Sequence, residues 1–190
     1  MKYHFKSGLR NMDDLTHAFS TRFDPMPEFS QAEDFIENVP TTVCKEGYAY
    51  VSLVTKKKLA PGVKISSRCA FENAGAPLFV LAKEITEKDG LLYYGDYLEA
   101  VIWKNGVNAW NLWTDETGTV QIRNLMELKM PVEQGTIHDF SLEIQKDRFV
   151  IILDGLQVSL YCGDIYDSFH LGITGCEGPC RFYDMEITNC

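Results

Sequence analysis

Gly90-Leu-Leu-Tyr-Tyr-Gly-Asp-Tyr-Leu-Glu-Ala-Val-Ile-Trp103, with Trp110 and Trp113 close behind, concentrates the aromatic residues of this chain and reads as a strand. Successive side chains of a strand point to opposite sides. From Tyr97 to Trp103, the aliphatic Leu98, Ala100 and Ile102 therefore share one face, and Tyr97, Glu99, Val101 and Trp103 share the other. The first face suits a core. The second combines rings with a carboxyl group and has the makings of a site.

The same alternation continues on both sides of this run. Strands are predicted at Ala49–Val54, Val63–Phe71, Leu78–Ile85, Tyr97–Trp103, Val107–Trp113, Thr119–Leu125, His138–Gln145, Phe149–Leu153, Leu156–Tyr161, His170–Thr174 and Arg181–Thr188. Asn105-Gly106, Thr117-Gly118 and Asp154-Gly155 supply the positive φ of tight hairpins, and Pro61-Gly62 and Glu133-Gln-Gly135 mark other reversals. Short strands with close turns and no helical runs between them favour antiparallel sheets over βαβ units. The expected fold is all-β, a two-sheet antiparallel sandwich. In His138–Gln145, Phe140, Leu142 and Ile144 are expected to face the core between the sheets.

Residues 1–45 differ from the rest. Asn11-Met-Asp-Asp-Leu-Thr-His-Ala-Phe19 has a cap and loosely helical spacing, Gln31 to Val39 has the length of two helical turns, and Phe23-Asp-Pro-Met-Pro27 forbids a regular helix. This stretch is expected to be an irregular strand-and-loop lead-in that wraps the sandwich. No Ser/Gly-rich linker follows it, so residues 1–190 are expected to form one domain.

The chain has 190 residues, 45% of them hydrophobic, enough for a two-layer core without disulfides or metals. Its net charge of -9 opposes a nucleic-acid partner, which needs clustered Lys and Arg, and Lys56-Lys57-Lys58 reads as a solvated strand end or turn. Met1 to Arg10 lacks the apolar stretch of a signal peptide and no later segment reaches bilayer length, so a soluble, cytoplasmic protein with no membrane partner is expected. The six cysteines, Cys44, Cys69, Cys162, Cys176, Cys180 and Cys190, fit neither a disulfide scaffold nor a paired zinc set. Most are expected to be reduced, several as small apolar core residues. Cys176-Glu-Gly-Pro-Cys180 reads as a hairpin loop that brings two thiols near each other.

Gly135-Thr-Ile-His-Asp-Phe-Ser-Leu-Glu-Ile-Gln-Lys-Asp-Arg-Phe-Val-Ile-Ile-Leu-Asp-Gly155, Gly172-Ile-Thr-Gly175 and Phe182-Tyr-Asp-Met-Glu-Ile187 together resemble the C-terminal half of concanavalin A-like lectin/glucanase domains. The shared features are a Gly-x-x-His strand start, a strand turning back at Asp-Gly, and a glycine-bounded strand before a last strand with an aromatic and Asp. The resemblance covers roughly the last two thirds of the chain at the level of pattern. It implies a jelly-roll sandwich, the fold also of laminin-G-like modules, and glycan binding on the concave sheet. The matching candidates are Tyr97, Glu99 and Trp103, with Trp110 or Trp113 from the next strand and Tyr93 or Tyr94 from the preceding segment. Flat rings suit the C–H faces of a pyranose, and carboxylates and amides take its hydroxyls. The odd spacing of Trp110 and Trp113 sends them to opposite faces, so only one joins the strip and core packing is the ordinary role of either. The resemblance also implies a packing role for His138 and a structural calcium ligand at Asp184.

Glucanase members carry Glu-x-Asp-x-Glu, which puts three carboxylates on one strand face. This sequence has no such strand: Glu87-Lys-Asp89 runs into a turn at Gly90, and Asp96 and Glu99 fall on opposite faces. The expectation therefore leans away from an enzyme. The leading function is a non-catalytic domain that binds an oligosaccharide or small glycoside. A sugar-acting hydrolase using an acid set from Asp96, Glu99, Glu143 and Glu186 is one alternative. The other is an accessory subunit whose aromatic face binds a protein partner, an enzyme or a second copy of the chain.

Overall fold

The computed structural model describes residues 1–7, 12–38 and 49–190. In chain order the strands are β1 (Lys2–His4), β2 (Leu15–Ser20), β3 (Ser30–Gln31), β4 (Ile36–Glu37), β5 (Ala49–Thr55), β6 (Val63–Phe71), β7 (Leu78–Ala82), β8 (Thr86–Lys88) and β9 (Leu91–Tyr94). They continue as β10 (Tyr97–Trp103), β11 (Gly106–Thr114), β12 (Val120–Lys129), β13 (His138–Ile144), β14 (Arg148–Leu153), β15 (Leu156–Tyr161), β16 (His170–Glu177), β17 (Cys180–Phe182) and β18 (Asp184–Asn189). No helix occurs among the described residues.

The strands form two sheets. The first runs β15-β14-β13-β6-β17-β4-β3, with β18 pairing both β6 and β1; the second runs β12-β11-β10-β7-β16-β5-β2-β9-β8. Pairing is antiparallel except between β2 and β9, where Phe19 meets Tyr93 and Ser20 meets Tyr94 in parallel. One buried cluster fills the space between the sheets, contributed by residues such as Ile65, Phe140, Leu142 and Ile151 from the first and Leu53, Phe79, Leu98 and Ile173 from the second. Phe79 and Phe140 stack across the gap with ring centroids 4.3 Å apart. The predicted inward set of β13 is in this cluster.

Two of the features that carried the resemblance, the Gly-x-x-His strand start and the Asp-Gly turn, are joined in space. His138, at the start of β13, has Nδ1 2.7 Å from Asp154 Oδ2 and Nε2 2.7 Å from the Glu133 carbonyl. The other oxygen of Asp154 accepts the Asp139 backbone N–H at 2.8 Å. Asp154 and Gly155 both have positive φ, 49° and 82°, as a two-residue turn matched to strand twist requires.

Several boundaries differ from the sequence reading. The helical spacing of residues 11–19 does not make a helix, because Leu15–Ser20 pairs with β5, register Ala18 to Ser52. The helical length of 31–39 likewise yields the short pair β3 and β4, since Ile36 is drawn into the core and Glu37 pairs with Arg181 of β17. Backbone pairing to a preformed sheet outweighs the weak local helical preference. Leu78–Ile85 stops at Ala82, and Ile85 leads instead into the hairpin β8–β9, whose turn holds Asp89 at φ 54° and Gly90 at 78°. The strand expected at 119–125 runs on to Lys129, with a register shift opposite Ala109 and Trp110. The last predicted strand is broken at Tyr183 into β17 and β18.

The described part of the lead-in is thus woven into both sheets. Its expected end near residue 45, and Cys44, lie outside the described residues. Cys69 and Cys180 are buried in the main cluster with Cys162, Cys190 is exposed, and all five described cysteines are free thiols. Cys180 Sγ donates to the Cys176 carbonyl at 3.5 Å, so the predicted approach of this pair is a thiol-to-backbone contact. No helix among the described residues is long and apolar enough to cross a membrane.

Candidate functional site

The outer face of the second sheet carries its own buried cluster, which includes Ala18, Tyr50, Val54, Leu78, Val80, Tyr94, Tyr97, Val101 and Leu112. Antiparallel register puts directly opposed residues on the same side of a sheet. Glu99 thus lies between Trp110 of β11 and Val80 of β7, and Val101 lies between Asn108 and Leu78. Farther across, Tyr50 of β5 is opposite Cys176 of β16.

Over this row opens a hollow of about 600 Å³, walled by Trp103, Trp110 and Ile122 on one side and by Arg22, Phe23 and Tyr50 on the other. Glu99, Leu78 and Val101 lie at its base, and Asn108, Cys176 and Glu177 also line it. The volume falls in the range of small-molecule sites, about 300–1,000 Å³.

Glu99 is 9% exposed, and its Oε2 accepts a hydrogen bond from the Tyr50 hydroxyl at 2.8 Å. Burial pushes its carboxyl up to about 7; the Tyr50 hydrogen bond and the Arg22 charge pull it down, and Glu177 adds an upward push. Burial also raises Glu177 above the ordinary carboxyl value. Arg22 Nη1 donates to the Tyr97 hydroxyl at 3.2 Å, and its guanidinium lies over the Phe23 ring. Phe23 in turn stacks on Tyr50, centroids 5.0 Å apart. Two polar atoms in the lining, Trp103 Nε1 and Asn108 Oδ1, are buried with no hydrogen-bond partner among the described residues. Such a group costs about 1–3 kcal/mol when left unmade.

The expected ligand residues are divided among different places. Glu99, Trp103 and Trp110 come together in the hollow. Tyr97 shares their face but is sealed at 0% exposure, as is Tyr94 at 1%, beneath the chain that follows β2. Burial raises the Tyr97 phenol to about 12, and the Tyr94 hydroxyl is 2.6 Å from Ser52 Oγ. Tyr93 packs against Phe19 and the cluster between the sheets. Trp113 lies on the other side of β11 from Trp110, beside the Arg123 guanidinium. Arg22, Phe23, Tyr50, Asn108, Cys176 and Glu177 were not foreseen as site residues. Alternation within Ala49–Val54 puts Tyr50 on one face with Ser52 and Val54, but only strand order across the sheet reveals that this is the face of Glu99.

Of the acids in the expected hydrolytic set, Glu99 alone lines the hollow. Asp96 accepts the Thr114 backbone N–H at 3.0 Å, and Glu143 and Glu186 lie on the first sheet beside Lys64 and Lys2. The second carboxyl in the hollow is Glu177. Asp184 Oδ1 accepts the Arg68 backbone N–H at 2.9 Å and Oδ2 accepts Arg68 Nε at 2.7 Å. Both oxygens are taken by arginine, and no cluster of three or more acidic, His or Cys side chains that would hold a metal occurs among the described residues. Asp184 is thus already paired with a cationic side chain.

No protein-family model and no curated protein sequence matches this chain. Solved structures do share its fold. A carbohydrate-binding module, CBM66, from Bacillus subtilis aligns over 87% of this chain and 100% of its own, with 12% identity and a TM-score of 0.57. A glycoside hydrolase family 16 endo-glucanase from Bacteroides ovatus aligns over 99% of both chains, with 10% identity and a TM-score of 0.62. A legume lectin-like domain from Entamoeba histolytica covers 100% and 97%, with 12% identity and a TM-score of 0.61. The fold is the concanavalin A-like jelly roll, as the sequence resemblance implied.

Proposed function

We propose that this protein is a non-catalytic carbohydrate-binding domain that takes an oligosaccharide or small glycoside in the hollow on the outer face of its second sheet. The observation that carries the reading is the grouping of Trp103, Trp110 and Glu99 around one open cavity. Indole faces suit the C–H surface of a pyranose, while Glu99, Asn108 and Arg22 offer acceptors and donors to its hydroxyls. Titration calorimetry against a panel of oligosaccharides tests this, with Trp103→Ala binding at least about tenfold more weakly than the native protein. Equal binding by the variant would remove the hollow from the account.

One observation favours a second reading as a sugar-acting hydrolase. Glu99 and Glu177 line the same cavity, and Glu99 is held near 7, where a carboxyl can give up a proton to a leaving group. Release of new reducing ends from a bound oligosaccharide by the native protein, lost in Glu99→Gln, would establish it in place of the first.

A further inference from the structure

Across the strands, the two ends of the hollow are built differently. Toward β12 the lining ends at Ile122, which is 51% exposed on the outermost strand of the second sheet, so no described residue stands between the cavity and solvent there. Toward β5 the face is filled. Tyr50, Tyr94 and Tyr97 pack together, with Tyr94 and Tyr97 edge to face at 5.0 Å and Tyr50 6.3 Å from Tyr97. Ser20 and Arg22 both donate to the Tyr97 hydroxyl, and Phe23 stacks on Tyr50. On β5 and on β2 beyond it, the outward-facing Val54 and Ala18 are wholly buried, so the groove does not continue.

Resting on the carbohydrate-binding reading, we infer that the hollow receives the end of a glycan chain, entering from the β12 edge, and does not admit an internal stretch of one. A polymer lying across the strands would have to pass through the Arg22–Phe23–Tyr50 wall. A chain end stops against it, with its last ring beside Trp103 and Trp110 and its terminal hydroxyls within reach of Glu99 and Arg22. Binding is therefore counted by ends. Arg22 and Phe23, just after β2, complete the barrier over the tyrosines, so the N-terminal segment converts what would be an open cleft on this sheet into a blind one.

The test uses soluble β-glucan, galactan and mannan, together with their short oligosaccharides, in titrations of the full chain. Whichever polysaccharide binds is then shortened about tenfold by sonication, which keeps the mass of sugar and multiplies the ends. End recognition predicts an apparent affinity per unit mass that rises about tenfold, in step with the number of ends. Arg22→Ala combined with Phe23→Ala opens the wall and is expected to weaken that dependence, its fold being checked by near-ultraviolet circular dichroism. Affinity per unit mass that does not change with chain length would overturn this inference and leave sugar binding standing. Absence of binding to every polysaccharide and oligosaccharide would remove the carbohydrate reading itself, and this inference with it.

Discussion

Replacing Glu99 with Gln probes the proton held in the hollow. The carboxyl is moved from its ordinary 4.5 to about 7, chiefly by burial. A raised pKa means that the folded state holds a proton the unfolded chain releases between these values, so stability falls as pH rises through that window. At about 1.4 kcal/mol for each tenfold difference in proton affinity, the full effect is about 3 kcal/mol, complete once pH exceeds the folded value. Glu99→Gln keeps an amide oxygen for the Tyr50 hydroxyl and carries no charge. Urea unfolding measured from pH 4 to pH 9, as roughly spanning both values, gives the free energy of each protein at every pH. Subtracting the two curves cancels the other titrating groups. The variant is expected to match the native protein within about 1 kcal/mol at the acid end and to exceed it by up to about 3 kcal/mol above neutrality. A difference that stays constant across the range would refute the reasoning, showing that Glu99 ionises as freely in the folded protein as in the unfolded one.

Other consequences follow from single contacts. Phe79→Ala empties one side of the stack with Phe140 and is expected to cost about 3–5 kcal/mol in chemical denaturation; a loss below about 1 kcal/mol would mean that the two sheets are not locked there. Asp154→Ala strips acceptors from both His138 Nδ1 and the Asp139 N–H, for an expected loss of about 2 kcal/mol by the same measurement, and a neutral effect would contradict the joining of the two motifs. Because Arg68 occupies both oxygens of Asp184, adding calcium or a chelator is expected to leave Tm unchanged; a rise with calcium would establish a metal site there.

How much of this was legible in the sequence depends on the range of the information. Alternation along one strand is local, so the split of β10 into Leu98-Ala100-Ile102 and Tyr97-Glu99-Val101-Trp103 could be read directly, and it separates the two buried clusters of the second sheet. Asp154-Gly155 is equally local, because positive φ at both residues narrows the choice of side chain. The loosely helical spacing of residues 11–19 could not announce the strand, because Leu15–Ser20 takes its conformation from β5, far along the chain. The site was legible only in part for the same reason. Period two gives a face but not what covers it, and Tyr97 lies under Arg22 through a contact spanning 75 positions. Glu177 reaches the hollow because β16 runs beside β5 and β7, an order that no motif announces.

The indole N–H groups offer the most direct measurement. The three tryptophans give separate resonances in a proton–nitrogen correlation spectrum, assignable by single Trp→Phe variants. Titration with a bound oligosaccharide is expected to shift the signals of Trp103 and Trp110, which wall the hollow, and to leave that of Trp113, on the far side of β11, in place. Movement of Trp113 alone, with the other two unchanged at saturation, would contradict the account and put the sugar elsewhere on the sandwich.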